Sequence, residues 1–256
     1  MANYVPVSRI AHQRVKIAVR SDLTDYKHKA TLPIYGAEIS HLSLLAPIVF
    51  LETDDRFSLH LLCSISDQFP NIFINSEGDW IGGYLPAIIR QHPFTVLINE
   101  AGERILSIDE QSPLVGTTGE VLFEETEPSQ YLKNMGEFVN NLNNNGVATR
   151  KGIDLLQEYQ LIIPWDITIK KADETTISVN GIHRVDEVKL NKLEDEQWLQ
   201  LKSNGVLSLI YGQLFSMGNM NKLIQLHSNK IEKIPMTDVE ALFADSDADV
   251  LNFESI

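Results

Sequence analysis

Residues 79 to 94 read DWIGGYLPAIIRQHPF and set Trp, Tyr, Arg and His among paired glycines and two prolines. Arg90 carries a planar fork of donors that matches a carboxylate in two places. Trp80 and Tyr84 are large amphipathic rings suited to lining a pocket. His92, next to Pro93, has a side chain that titrates near neutrality. Asp109 follows at the end of Leu-Ser-Ile-Asp and adds an acid. Trp80, Tyr84, Arg90, His92 and Asp109 therefore predict a pocket for a small carboxylate ligand or a peptide segment. A simpler account covers the same residues: Arg90 is buried and paired with Asp79 or Asp109, and the segment is a rigid corner. Gly82 and Gly83 let the backbone turn or approach closely, and Pro86 and Pro93 fix the chain direction around AIIR.

Other chemistry has less support. The seven histidines, at 12, 28, 41, 60, 92, 183 and 227, stand singly, without the close spacing of a helical or hairpin metal site. His60, His92 and Asp109 would have to assemble from adjacent strands to hold an ion, so no metal site is assigned. Cys63, the only cysteine, lies in the apolar run FSLHLLCSIS and reads as an inert packing residue. No phosphate-binding loop, dinucleotide turn, nucleophile elbow or His-Glu-x-x-His helix is present. No cofactor is named, and no residue set commits the chain to a reaction.

The elements that must position these residues follow from periodicity. The first half breaks short apolar runs with Pro, Gly, Asn and Asp, and predicts strands at APIVFLE, RFSLHLLCSI, NIFIN, FTVLIN and RILSIDE. Asn99 to Gly102 suit a hairpin loop between the last two. After Pro128 a helix is predicted from an N-cap at Ser129, with Tyr131, Leu132, Met135, Phe138, Val139 and Leu142 on one face. The polar NNLNNNG reads as its exit, and VATRKGIDLLQEY as a second helix. Leu161, Ile163, Trp165, Ile167 and Ile169 alternate as strand residues, and Asn180-Gly181 predicts a hairpin turn. DEQWLQLKSNG and VLSLIYGQLFSMGNMNKLIQLHSNK predict closing helices, the second with Leu207, Ile210, Leu214 and Met217 on one stripe. Ser208, Gly212 and Ser216 recur every four residues there and read as a packing device.

The expected fold class is α+β, with a strand-rich N-terminal half in a mixed or antiparallel sheet and a helical, hairpin-containing C-terminal half. Residues 1–235 are expected to form a single domain, and 236–256 an acidic, partly apolar tail. Thr237 and Glu240 in that tail form a capping-box pattern before Val239, Leu242 and Phe243. Thirty-five acidic against 21 basic residues leave a net charge of −14 across 256 residues. That charge repels phosphate backbones and anionic lipid surfaces, so nucleic acid is not expected as a partner. No apolar run approaches the ~20 residues of a spanning helix, and no secretory signal pattern opens the chain. A soluble, cytoplasmic protein is expected, with export to the cell surface as the lesser alternative.

A set of motifs carries a family resemblance. APIVF, then NIFINSEGDWIGGYLPAIIRQHPF, LSIDEQSPLV, LFEETEPSQYLKNMGEF and finally LKSNGVLSLIYGQLFSMGNMNKL match in order and spacing from about Tyr4 to about His227. Together they resemble the SapC family of bacterial proteins, with Gly78 to Phe94 as the most distinctive element. Members of that family tend to read Tyr-Ala-His where this chain has Tyr211-Gly212-Gln213, and a glutamine there hydrogen-bonds but transfers no proton. The family name implies an association with bacterial surface layers. It also implies a place beside TonB-dependent uptake, flavin-dependent tryptophan-halogenase-like proteins and cupin-like proteins, with no reaction attached. The resemblance thus implies a non-catalytic accessory protein that binds a protein or peptide partner. The alternatives are an enzyme or small-ligand protein with a carboxylate pocket near residues 79–94, and a surface-layer component.

Overall fold

The computed structural model describes residues 3–66, 69–170 and 176–230. The expected tail at 236–256 lies outside the described residues. Among the described residues the strands fall into five sheets, and every pairing is antiparallel. The largest has the order β12-β15-β4-β5-β3, built from β3 (Thr31–Pro33), β4 (Ile48–Thr53), β5 (Arg56–Leu62), β12 (Ile162–Pro164) and β15 (Ile182–Val185). A second sheet, β1-β7-β6, joins β1 (Tyr4–Pro6), β7 (Arg104–Asp109) and β6 (Phe94–Ile98). The short strands β2 (Lys16–Ile17), β8 (Val115–Gly116) and β9 (Glu120–Val121) form a third, in which β2 lies between the other two. Small pairs complete the set: β10 (Phe123–Glu124) with β11 (Glu127–Pro128), and β13 (Ile167–Lys170) with β14 (Thr176–Val179).

Single helical turns α1 (Arg9–His12), α2 (Ile39–Leu42), α3 (Ala87–Arg90) and α5 (Glu187–Leu190) punctuate the strands. The longer helices are α4 (Gln130–Glu158), α6 (Asp195–Ser203), α7 (Leu207–Ser216) and α8 (Met220–Lys230). The fold is α+β, with antiparallel sheets dominating the first half and helices the second. No helix among the described residues is long and apolar enough to cross a membrane.

The core has two parts. Around the larger sheet, Ile48, Val49, Phe50 and Leu61 are fully buried with Leu156, Val185 and Ile210. Around the β1-β7-β6 sheet, Phe94, Ile108, Leu122, Leu132 and Val139 form a smaller cluster. Helix α4 is 29 residues long and serves both: its first turns pack on β6 and β7, its later turns on β5.

Several expectations need correcting. NIFIN is not a strand; Ile72, Phe73 and Ile74 are buried in a loop, and only Ile74 makes a bridge, to Trp80. NNLNNNG does not end a helix, because α4 runs through it without interruption. Its polar side chains bond locally, as when Asn145 Nδ2 donates to the Asn141 carbonyl at 3.0 Å. The hydroxyl of Thr149 accepts from Gly36 N at 2.8 Å, tying the continued helix to the sheet layer. Asn180-Gly181 is not a hairpin turn either. The ribbon pairs Pro164 with His183 and then Ile167 with Val179, so the second strand holds one more residue than the first between these pairs. Gly181, at φ +76°, supplies the left-handed residue such a bulge requires.

Of the three small residues on α7, Gly212 and Ser216 pack, while Ser208 is exposed. A Cβ on Gly212 would meet Ile39 Cγ2 at 2.0 Å, so only glycine lets α2 lie against α7. Ser216 Oγ accepts from Ile48 N at 2.8 Å. Gln213 is fully buried, accepts from Val185 N at 3.0 Å and donates to the Ile48 carbonyl at 3.2 Å. Its amide therefore joins α7 to β4 and β15, which is a structural use of that position.

Candidate functional site

The segment before Arg90 is a tied loop. Asn75 N donates to the Asp79 carbonyl at 3.0 Å, and Asp79 N donates back to Asn75 Oδ1 at 2.8 Å. Ile81 N donates to the Phe73 carbonyl at 2.8 Å, which closes the loop against the buried face. The indole of Trp80 folds over Gly82, where a Cβ would meet it at 2.9 Å, and Nε1 donates to the Tyr84 carbonyl at 3.0 Å. Gly83 turns the chain at φ +75°. The sequence missed Glu38. This carboxylate is 3% exposed and accepts from Ala87 N at 2.6 Å and Tyr35 N at 3.0 Å, anchoring α3 to the larger sheet's layer.

Arg90 is exposed yet fixed. Its Nε donates to the Leu85 carbonyl at 2.9 Å and its Nη2 to the Tyr84 hydroxyl at 2.7 Å. The guanidinium stands 5.1 Å from the Tyr84 ring centroid and 5.0 Å from that of Phe138 on α4. Tyr84 in turn stacks on His41, centroids 4.6 Å apart and planes 5° from parallel. Burial pushes the Tyr84 phenol above its ordinary value, the charge of Glu38 adds to that, and Arg90 opposes it. Arg90 takes part in no ion pair among the described residues. The simpler account, with Arg90 buried and paired to Asp79 or Asp109, is therefore wrong. Asp79 is exposed and accepts from Asn75 Nδ2 at 3.2 Å, while Asp109 is taken up elsewhere.

Asp109 is 6% exposed, and its Oδ1 accepts from Asn3 N at 2.8 Å and Gln111 N at 3.2 Å. It holds the β7 end and the chain entering β1. His92 is half-buried, precedes a cis bond to Pro93, and places Nε2 2.7 Å from Ser112 Oγ. Burial lowers the His92 pKa, the Arg20 charge lowers it further, and Asp109 and Asp25 oppose both.

Trp80, Arg90 and His92 line one cleft of about 460 Å³. Its other walls include Ile17, Arg20, Asp79, Leu114, Glu120 and Tyr131. Tyr84 does not line it but braces Arg90, and Asp109 lies outside the lining. Arg20 bonds Asp25 through Nη2 at 2.5 and 2.7 Å and stands 5.0 Å from the Tyr26 ring centroid. The phenol of Tyr131 is raised by burial and by Glu120. Arg20, Glu120 and Tyr131 escaped the sequence reading because nothing local distinguishes them; distant strands and α4 bring them in. A larger cleft of about 590 Å³ includes Thr31, Leu51, Leu62, Ser178 and Asn180 in its lining and none of the five predicted residues.

The strand-assembled ion site does not form. His60 lies on β5 in the larger sheet, Asp109 on β7 in the other, and the described residues contain no group of three metal-ligating side chains. Cys63 is buried, and burial pushes its thiol far up, as expected of a packing residue.

The family model described as SapC matches residues 7–223, a span that contains the whole cleft. No curated protein and no solved structure matches the chain.

Proposed function

This chain belongs to the SapC family, and we propose that it is a non-catalytic accessory protein that holds a carboxylate-bearing peptide or protein partner at Arg90. The observation that carries this reading is the state of Arg90: immobilised by a backbone carbonyl, a phenol and two ring faces, yet without an acidic partner among the described residues. A guanidinium fixed in this way loses little conformational freedom when a carboxylate docks, which favours binding. Trp80 and Tyr131 offer apolar and hydrogen-bonding surface beside it. His92 of the cleft pairs with Ser112, but that hydroxyl is buried and lies outside the lining, so the pair presents no accessible nucleophile to the cleft. The family's association with TonB-dependent uptake and with halogenase-like and cupin-like proteins makes those systems the first source of partners to assay.

Selection from a library of peptides with free carboxyl termini tests the reading. Enriched peptides should bind the wild type and lose at least ten-fold in affinity against Arg90→Ala, with the melting transition nearly unmoved. No enrichment, or a large loss of stability in Arg90→Ala, would count against it and mark the arginine as structural.

A further inference from the structure

Strand β6 pairs with β7 on one side, and no strand among the described residues pairs with its other side. The ladder shows which backbone groups remain. Asp109 N donates to the Pro93 carbonyl and Asn99 N to the Glu103 carbonyl, so positions 93, 95, 97 and 99 face β7. The N–H and C=O groups of Val96 and Ile98 therefore face away from the sheet. Phe94 N is already used, donating to the Gln91 carbonyl at 2.7 Å. At the far end of this edge, Leu97 is 41% and Ile98 70% exposed. Natural edges are ordinarily blunted by charge, proline or a covering element. The opposite edge, β1, is only three residues long and ends in Pro6.

Arg90 stands at the start of this edge. It precedes β6 by one turn of chain, and its guanidinium lies over Phe138, which packs against the same apolar cluster as Val96. We propose that a partner's carboxyl-terminal segment adds to β6 as an antiparallel strand, with its terminal carboxylate on Arg90. The direction follows from the geometry: a carboxyl end held where β6 begins sends the added strand opposite to β6. Main-chain bonds to Val96 and Ile98 then supply affinity that is indifferent to sequence, and the exposed apolar side chains contact alternate residues of the peptide. A second copy of this chain fits less well, because the net charge of −14 opposes self-association.

This inference rests on the carboxylate reading of Arg90, and the test separates the two. A library-selected peptide is titrated against wild type and Val96→Pro, a substitution that removes an outward N–H and leaves the β7 ladder intact. Hydrogen exchange on the wild-type complex is measured in parallel, so the result stands even where Val96→Pro folds poorly. The expected outcome is at least a ten-fold loss in Val96→Pro and new protection at the Val96 and Ile98 amides. Binding that needs Arg90 but neither protects these amides nor responds to Val96→Pro overturns the added strand and leaves the carboxylate reading standing. Failure to select any peptide overturns both. Self-association through β6, abolished by Val96→Pro in sedimentation, would also overturn the proposal by giving the edge to a second copy.

Discussion

Arg90 and Gln213 are polar side chains that satisfy their surroundings in opposite ways. Arg90 spends part of its donor fork on Leu85 and Tyr84 and keeps the rest exposed. Gln213 spends its amide inside the core, between Val185 N and the Ile48 carbonyl. Gln213→Leu should therefore strand two buried backbone groups and cost about 2–4 kcal/mol, read as a lower urea midpoint at unchanged m. A loss below about 1 kcal/mol would mean that water or relaxation satisfies them. At this scale the sequence was partly legible. Trp80, Arg90 and His92 do share a cleft, because a short loop and α3 hold them together. Asp109 does not join them: a buried carboxylate at a strand end is claimed by the nearest backbone N–H groups. No local pattern announces which role an aspartate takes.

Among the elements, α4 decides most, since it carries Tyr131 to the cleft and Phe138 to Arg90 and still reaches β5. Its start was readable. Ser129 Oγ accepts from Leu132 N at 3.1 Å and donates to the Val121 carbonyl at 2.6 Å. Ser129→Ala should cost about 1 kcal/mol in thermal or urea unfolding, with no change in a control such as Ser208→Ala on the exposed side of α7. Equal effects in the two variants would deny the cap its role. The length of α4 was not readable, because asparagines with low helix propensity suggested a stop. Packing of Ile153 and Leu156 into the larger core overrides that local preference. Asn180-Gly181 misled in a related way: the dipeptide marks a left-handed backbone position, and a bulge needs one as much as a turn does.

For the molecule as a whole, the strands and helices were largely legible from periodicity, while the layering that brings β2, α3 and α4 around one cleft was not. Long-range contacts of that kind leave no spacing signal. A whole-molecule consequence follows from His60, whose pKa burial lowers to about 4. The unfolded chain takes up this proton near pH 6.5, before the folded one does. Stability is therefore full above pH 6.5 and falls as pH drops from there toward 4, by roughly 3 kcal/mol for this group. Urea midpoints across that range should fall less steeply in His60→Leu than in the wild type; parallel curves would contradict the assignment. The central claim, that Arg90 holds a partner's carboxylate, is tested most directly by calorimetric titration of a library-selected peptide and its C-terminal amide. The account predicts that the acid binds at least ten-fold more tightly to the wild type and that Arg90→Ala erases the difference. Equal affinities for acid and amide would contradict it.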